Sequence, residues 1–280
     1  MAKIKVVTDS ACDLPDELTR SLGIEVVPLS IRFGDEEFTD RKDLTPKEFW
    51  AKCKATKVLP ETAAPSPGAY QQAYERARAD GFDGIIVITL SAALSATNQA
   101  ATLGAEAFAN AVPVSIVDSR AVSMAQGLIA LDLAEEAAKG TGLEELTALA
   151  HNLVTRTGVV GTLDTLEHLI KGGRVGGAKA LLGSMLSIKP LLELKDGIVS
   201  EAGRQRTRSK AIATCAATCA AAAPLRRLAI VHGDAIDVRL AEAALKDVKS
   251  EYPLIVADMG SVVGTHGGPG IIAICWIRAE

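Results

Sequence analysis

Aromatic residues make up only 4% of this 280-residue chain, and its basic residues do not interleave with them. The stacking platform of a nucleic-acid binder is therefore missing. Charge does not compensate, because 30 basic residues stand against 34 acidic ones for a net charge of -4. No nucleic-acid partner is expected. The five cysteines, Cys12, Cys53, Cys215, Cys219 and Cys275, are odd in number and form no Cys-x-x-Cys pair. Neither a disulfide framework nor a zinc knuckle is suggested, and a reducing cytoplasm fits. No apolar run reaches the roughly 18 residues of a spanning helix. The start "MAKIKVV" turns polar at "TDSACD", too soon for a signal-peptide core. A soluble, cytoplasmic protein without a transmembrane segment is expected. Also absent are a Gly-x-Ser-x-Gly elbow, a Walker loop, a Gly-x-Gly-x-x-Gly after the first strand, and metal-ligand spacing among His151, His168, His232 and His266. Neither a cofactor nor a self-sufficient catalyst is indicated.

What is present is a chain that is 48% hydrophobic, enough for a sizeable core in two domains. The first half alternates. "KIKVVTDS", "IEVVPLSI", "GIIVITLS" and "VPVSIVDS" read as strands, and helices are expected in "LPDELTRSLG", from Pro65 to Ala79, from Ala96, and from Met124 to Lys139. Apolar β-branched runs between amphipathic helices predict a doubly wound, mostly parallel sheet covered on both faces. A polar insert through "FTDRKDLTPKEFWAKCKA" interrupts it. After the helix "GLEELTALAHNLVTRT" the pattern changes. "SIKPLLELKDGIVSEAG" predicts a hairpin turning at Asp196-Gly197, and "RLAIVHG", "DVRLAEAALKDV", "LIVADMG" and "GIIAICWI" supply a second α/β layer. The division is placed near 160, giving domains 1–160 and 161–280 packed together, with a ligand tunnel between them. The alanine-rich tract 211–223 reads as a helix, with Cys215 and Cys219 as filling on one face.

Open parallel sheets bind ligands beyond the carboxyl ends of their strands. Ser95 lies there, between a strand and a helix, where free backbone N–H groups favour an anion; Ser95 or Ser91 could equally cap that helix. Thr62 precedes a proline-opened helix in the same way. Asp9 and Ser10 end the first strand, but Asp13 with Asp16 resembles a capping box, a structural role. Near the end of the chain, His266 stands among Gly264, Gly267, Gly268 and Gly270, in a loop that looks poorly packed and so open to a ligand. Arg174, on the glycine-rich stretch "IKGGRVGG", suits a carboxylate or phosphate. In "GRQRTRSKA", an extended chain would put Arg204, Arg206 and Arg208 on one face, which a charged edge strand also explains.

These stretches, taken together, have a match. "VVTDSACDLP", "TAAPSPG", "LSAALSATNQAA", "VDSRAVSMAQGL", "LEHLIKGGRVG", "KPLLELKDGIV", "GRQRTRSKA", "HGD" and "VVGTHGGPG" resemble the DegV family, the fatty-acid-binding subunits of bacterial fatty acid kinase. They occur in family order along nearly the whole chain. The resemblance implies a two-domain α/β protein that buries a long-chain fatty acid and presents its carboxylate to a separate ATP-dependent kinase, the catalytic subunit, for acyl-phosphate formation. It implies Thr62 and Ser95 as carboxylate ligands, with His266 beside them. Arg174, Arg204 and Arg206 would lie near the head group or on the face that docks the kinase. Where the family commonly has "SSGLSGTYxSA", this chain has Ala92, Ala93, Ala96 and Asn98, and the added methyls are expected to crowd the turn. The small-residue helices "GGAKALLGSML" and "NQAATLGAEAFA", with Leu182 and Met185, are expected to line the tunnel. The competing readings are an acyl- or phosphoryl-transfer enzyme using Ser95 with His266, for which no orienting acid is evident, and a small-molecule sensor.

Overall fold

The computed structural model describes residues 2–108, 112–179 and 188–280. The chain opens with β1 (Ile4–Asp9), α1 (Asp16–Ser21) and β2 (Glu25–Val27). It continues through β3 (Ser30–Phe33), β4 (Glu36–Thr39), α2 (Pro46–Ala55) and β5 (Glu61–Ala63). Next come α3 (Pro67–Ala79), β6 (Gly84–Thr89), α4 (Thr97–Phe108), β7 (Val114–Asp118), α5 (Met124–Ala138) and α6 (Leu143–Arg156). Strands β2-β1-β6-β7 form a sheet in that order, parallel throughout. The sequence "GIIVIT" of β6 is buried along its whole length, as a strand covered on both faces must be. The stretch "IEVVPLSI" does not stay one strand. Pro28 cannot donate to a ladder, and the chain splits there: β2 joins the parallel sheet, while β3 pairs antiparallel with β4 and β5 in a small separate sheet. The insert is also less polar than expected, because its Phe49 and Trp50 are buried.

The second half contains β8 (Thr157–Thr162), α7 (Glu167–Lys171), β9 (Lys189–Lys195), β10 (Ile198–Gln205) and α8 (Arg208–Ala220). It ends with β11 (Leu225–His232), α9 (Val238–Leu245), β12 (Ile255–Asp258), α10 (Ser261–Gly267) and β13 (Ile272–Arg278). Its sheet has the order β10-β9-β8-β13-β11-β12, antiparallel except where β11 meets β12. Since β8 pairs in this sheet from Thr157 onward, a boundary at 160 would cut a strand, and the two sheets part after Arg156. The β9–β10 turn sits at Asp196 (φ 52°) and Gly197 (φ 79°), the left-handed pair that an Asp-Gly hairpin requires. Its tip touches the first domain, where the Ser91 hydroxyl donates to the Gly197 carbonyl at 2.8 Å.

Helix α5 is buried without a break from Met124 to Ala134, because it lies between the sheets and packs on β1 and on β13 and β11. A Cβ at its Gly127 would stand 2.6 Å from the Cys12 carbonyl oxygen, so only glycine permits that approach. One apolar cluster spans both domains around α5; two more cover the outer faces. Cys215 and Cys219 belong to one of these outer clusters, with thiols pushed up to about 12 by burial. The small residues of α4 serve helix packing rather than a tunnel: a Cβ at Gly104 would meet the Pro67 carbonyl oxygen at 2.7 Å and Tyr70 at 2.9 Å. Leu182 and Met185 lie outside the described residues.

Candidate ligand site

Between the two domains lies an apolar cavity enclosing about 900 Å³, its mouth included. Its walls are mostly aliphatic: Leu29, Leu90 and Val122 from the first domain face Val159, Leu192 and Val199 from the second. Thr62, Ser95, Arg174 and His266 all line it, so residues far apart in the chain are gathered at one place.

Thr62 comes from β5 and His266 from the last turn of α10, and Thr62 Oγ1 lies 3.0 Å from His266 Nε2. Thr62 does not cap α3. Ser66 does, accepting from the Ala69 N–H. Ser95 both lines the cavity and opens α4, with its Oγ 2.8 Å from Thr97 Oγ1 and accepting from the Thr97 N–H. Arg174 is held rigidly by backbone oxygens: Nε donates to Leu94 at 3.1 Å and Nη1 to Gly172 at 2.6 Å. Loss of hydration on burial lowers the His266 pKa to about 4, reinforced by the positive charge of Arg174 and by His168. The imidazole is therefore neutral at pH 7. Its Nδ1 is buried without a partner among the described residues and faces Gly172, where a Cβ would lie 2.2 Å away.

The glycines around His266 are not a loose loop. They run from the middle of α10 past its C-terminus, and they are tight: a Cβ at Gly264 would strike Trp50 at 2.7 Å, and one at Gly268 would strike His168 at 2.7 Å. Close approach to other side chains, rather than openness, selects glycine here.

Behind the cavity stands a group of buried carboxyls. Asp13 accepts from the Ser123 hydroxyl at 2.5 Å and from the Gly260 N–H at 2.8 Å, so it joins the two domains and is no capping box for α1. Asp9 accepts from Ala11 and Leu90, fixing the loop that leads to Ser95. Asp40 accepts from the Ser261 hydroxyl. Burial raises all three carboxyls, Asp9 and Asp13 to about 7, against the pull of their hydrogen bonds. Ser123, a cavity residue, has φ 59° and ψ −148°, a backbone region that costs a non-glycine residue about 1–3 kcal/mol and is held by its bond to Asp13.

Arg204 and Arg206 do not join the site. Both are exposed, and Arg204 pairs with Glu201 at 3.3 Å. The expected arginine face breaks up because β10 stops at Gln205. Arg208 opens α8 and is spent on Asp237 and Asp164. Ala92, Ala93 and Ala96 are exposed, so their methyls do not crowd the turn, and Asn98 donates to Thr89 Oγ1 at 3.0 Å. Ser95 and His266 are not hydrogen-bonded to each other, and no carboxylate orients the imidazole among the described residues. Sequence reasoning missed Asp40, Trp50 and Ser123. The one available signal was Trp50, an aromatic in a chain poor in them.

The family profile described as an uncharacterised protein of the DegV family matches residues 3–279. The chain belongs to the DegV family. A DegV domain-containing protein of Streptomyces coelicolor is 35% identical, with 97% of each chain covered. Among solved structures, a fatty-acid-binding DegV family protein from Thermus thermophilus superposes with a TM-score of 0.91 at 33% identity, covering 99% of this chain and 100% of the other. DegV of Bacillus subtilis, described as a fatty acid binding protein, gives 0.87 at 29% identity with 99% of each chain covered. Among the described residues no helix is long and apolar enough to cross a membrane, and no cluster of side chains is placed to hold a metal ion.

Proposed function

We propose that this DegV protein is a carrier for a long-chain fatty acid. The tail occupies the apolar cavity, and the carboxylate meets Thr62, Ser95 and His266 with Arg174 as counter-charge. The observation that carries this reading is the cavity itself, aliphatic along its walls with these polar groups gathered at one place. Binding of fatty acids by DegV relatives from Thermus thermophilus and Bacillus subtilis supports it. Burial of each methylene contributes about 0.8 kcal/mol, so a long tail contributes on the order of 10 kcal/mol gross, against roughly 1.5–3 for one charge-assisted contact. The tail sets affinity and the polar end sets orientation.

The carrier hands its carboxylate to a separate ATP-dependent kinase. A carboxylate oxygen attacks the terminal phosphorus of ATP, the bond from that phosphorus to the bridging oxygen of the leaving ADP breaks with its electron pair going to that oxygen, and an acyl-phosphate forms. A carboxylate is already ionised at pH 7 and needs no general base, so a neutral His266 without an orienting acid suits this task. Arg204 and Arg206 are exposed and away from the cavity, which supports a role in meeting an acidic partner rather than the ligand.

Mass spectrometry of an organic extract from the gently purified protein is expected to find one fatty acid per chain. With ATP and the cognate kinase, the loaded protein should yield acyl-phosphate, and Arg204→Ala should keep the lipid but lose at least about tenfold in transfer rate. Ester hydrolysis or ATP turnover by the protein alone, abolished by Ser95→Ala, would overturn the carrier reading in favour of an enzyme.

A further inference from the structure

The three buried carboxyls behind the cavity are also the fastenings of its wall. Asp9 holds the Leu90 N–H at 2.8 Å, Asp13 holds the Ser123 hydroxyl and the Gly260 N–H next to Met259, and Asp40 holds the Ser261 hydroxyl at the start of α10. Leu90, Ser123 and Met259 line the cavity, and so do Val262, Val263 and His266 of α10. We propose that these carboxyls form a proton-linked clamp: a bound fatty acid draws protons onto them, so the protein holds its ligand more tightly as pH falls and releases it more readily as pH rises. The proposal rests on the carrier reading and adds a regulation to it.

Geometry supplies the argument. Asp9 is fully buried, and Asp13 and Asp40 are each 1% exposed. The cation that bears on Asp13 and Asp40 is Arg41, yet it makes no ion pair with either within 4.0 Å among the described residues. Its Nη1 donates instead to the Leu14 carbonyl at 2.6 Å and to the largely exposed Asp16 at 3.1 Å. Asp40 Oδ2 and Arg41 Nε are buried without a partner among the described residues. Three carboxyls beside one guanidinium that bonds elsewhere cannot all stay ionised, so the group retains protons, in keeping with the rise of Asp9 and Asp13 to about 7. The Cys12 and Cys275 thiols and the Tyr70 hydroxyl also face the group, and burial pushes all three up, so they stay protonated through neutral pH. A fatty acid acts on this balance twice. Its tail lays hydrocarbon against the other side of the wall, and its head adds a negative charge to the same interior. Both disfavour the ionised carboxyls. Because linkage is reciprocal, protonated carboxyls in turn favour the ligand, and affinity falls as pH rises through about 7. His266, lowered to about 4, takes no part in that range.

The test titrates the delipidated full-length protein with a fatty acid carrying heavy carbon at its carboxyl. At pH 7, calorimetry in buffers of different ionisation enthalpy should show net proton uptake on binding. Infrared difference spectra should gain a protonated-carboxyl band without the isotope shift, which assigns it to the protein. Since a shift of one pKa unit corresponds to about tenfold in affinity, the wild-type dissociation constant should rise between pH 6 and 8 by at least about threefold more than that of Asp9→Asn or Asp13→Asn. The acid's own titration is common to all three proteins and cancels. Retained binding shows that a variant is folded, and the infrared result on the wild type decides where one is not. Binding without proton uptake, without the unshifted band, or with a pH dependence undiminished in both variants would overturn the clamp and leave the carrier intact. A wild type that binds no fatty acid at either pH would sink the carrier as well.

Discussion

The two ends of α10 are built in opposite ways. At its start, the Gly260 N–H meets Asp13, the Ser261 hydroxyl meets Asp40, and the Trp50 indole N–H donates to the Met259 carbonyl at 2.9 Å. All these partners come from the first domain, and Phe49 and Trp50 press on Gly264 in the middle. At its finish, His266 touches Thr62 and leaves a ring nitrogen without a partner among the described residues. A helix this short and glycine-rich is not stable by itself. It is fixed at the end that joins the domains, which lets the other end present a neutral imidazole at a defined place. Several bonds to the first domain mark the joint, where Asp40 Oδ2 still lacks a partner among the described residues, and a single contact with an unpartnered ring nitrogen marks the site.

The sharpest attack on this contrast is at the joint. Trp50→Ala removes the packing on α10 together with the bond to Met259 and should cost about 3–5 kcal/mol in urea unfolding. An unchanged midpoint would mean that α10 is anchored elsewhere. Next comes pH. Asp13 binds its proton more tightly when folded, at about 7 against an ordinary 3.8. Its contribution to stability is therefore full below pH 4 and is lost as pH rises towards 7, at a slope of at most about 1.4 kcal/mol per unit. Asp9 behaves alike. Asp13→Asn should flatten its share of that slope in unfolding curves between pH 4 and 8, whereas a curve as steep as the wild type's would remove Asp13 from the account. The smallest effect belongs to the open end. His266→Ala should leave stability near the wild-type value and lower fatty-acid affinity about tenfold, less than the loss from shortening the acid by six methylenes. A large loss of stability on His266→Ala would erase the distinction between the two ends.

The parallel sheet was readable because buried strands alternate with helices, and the β9–β10 turn because Asp-Gly has few other uses. Thr62, Ser95, Arg174 and His266 could be singled out because strand ends and glycine runs are where backbone groups lie open. What could not be read were the events decided by distant partners. Pro28 divides one apolar run between two sheets, and nothing local says that the second piece pairs with β5. The glycine-rich segment at His266 has poor helix propensity and becomes α10 only because Asp13, Asp40 and Trp50 hold it. Asp13 resembles a capping residue from its neighbours, yet its bond to Gly260 spans 247 positions in the chain. The arginines of "GRQRTRSKA" share a face only if the strand continues, and it stops at Gln205.

The cavity is walled by both domains, so its contents belong to the interior that holds the halves together. An occupied protein counts the ligand's methylenes among its buried groups, while an empty one carries a hole where its domains should meet. Ligand in hundredfold excess over its dissociation constant adds about 2.7 kcal/mol to the folded state. Loaded molecules should thus outlast empty ones under protease, so that the supply of the ligand would govern how long each copy of the protein survives.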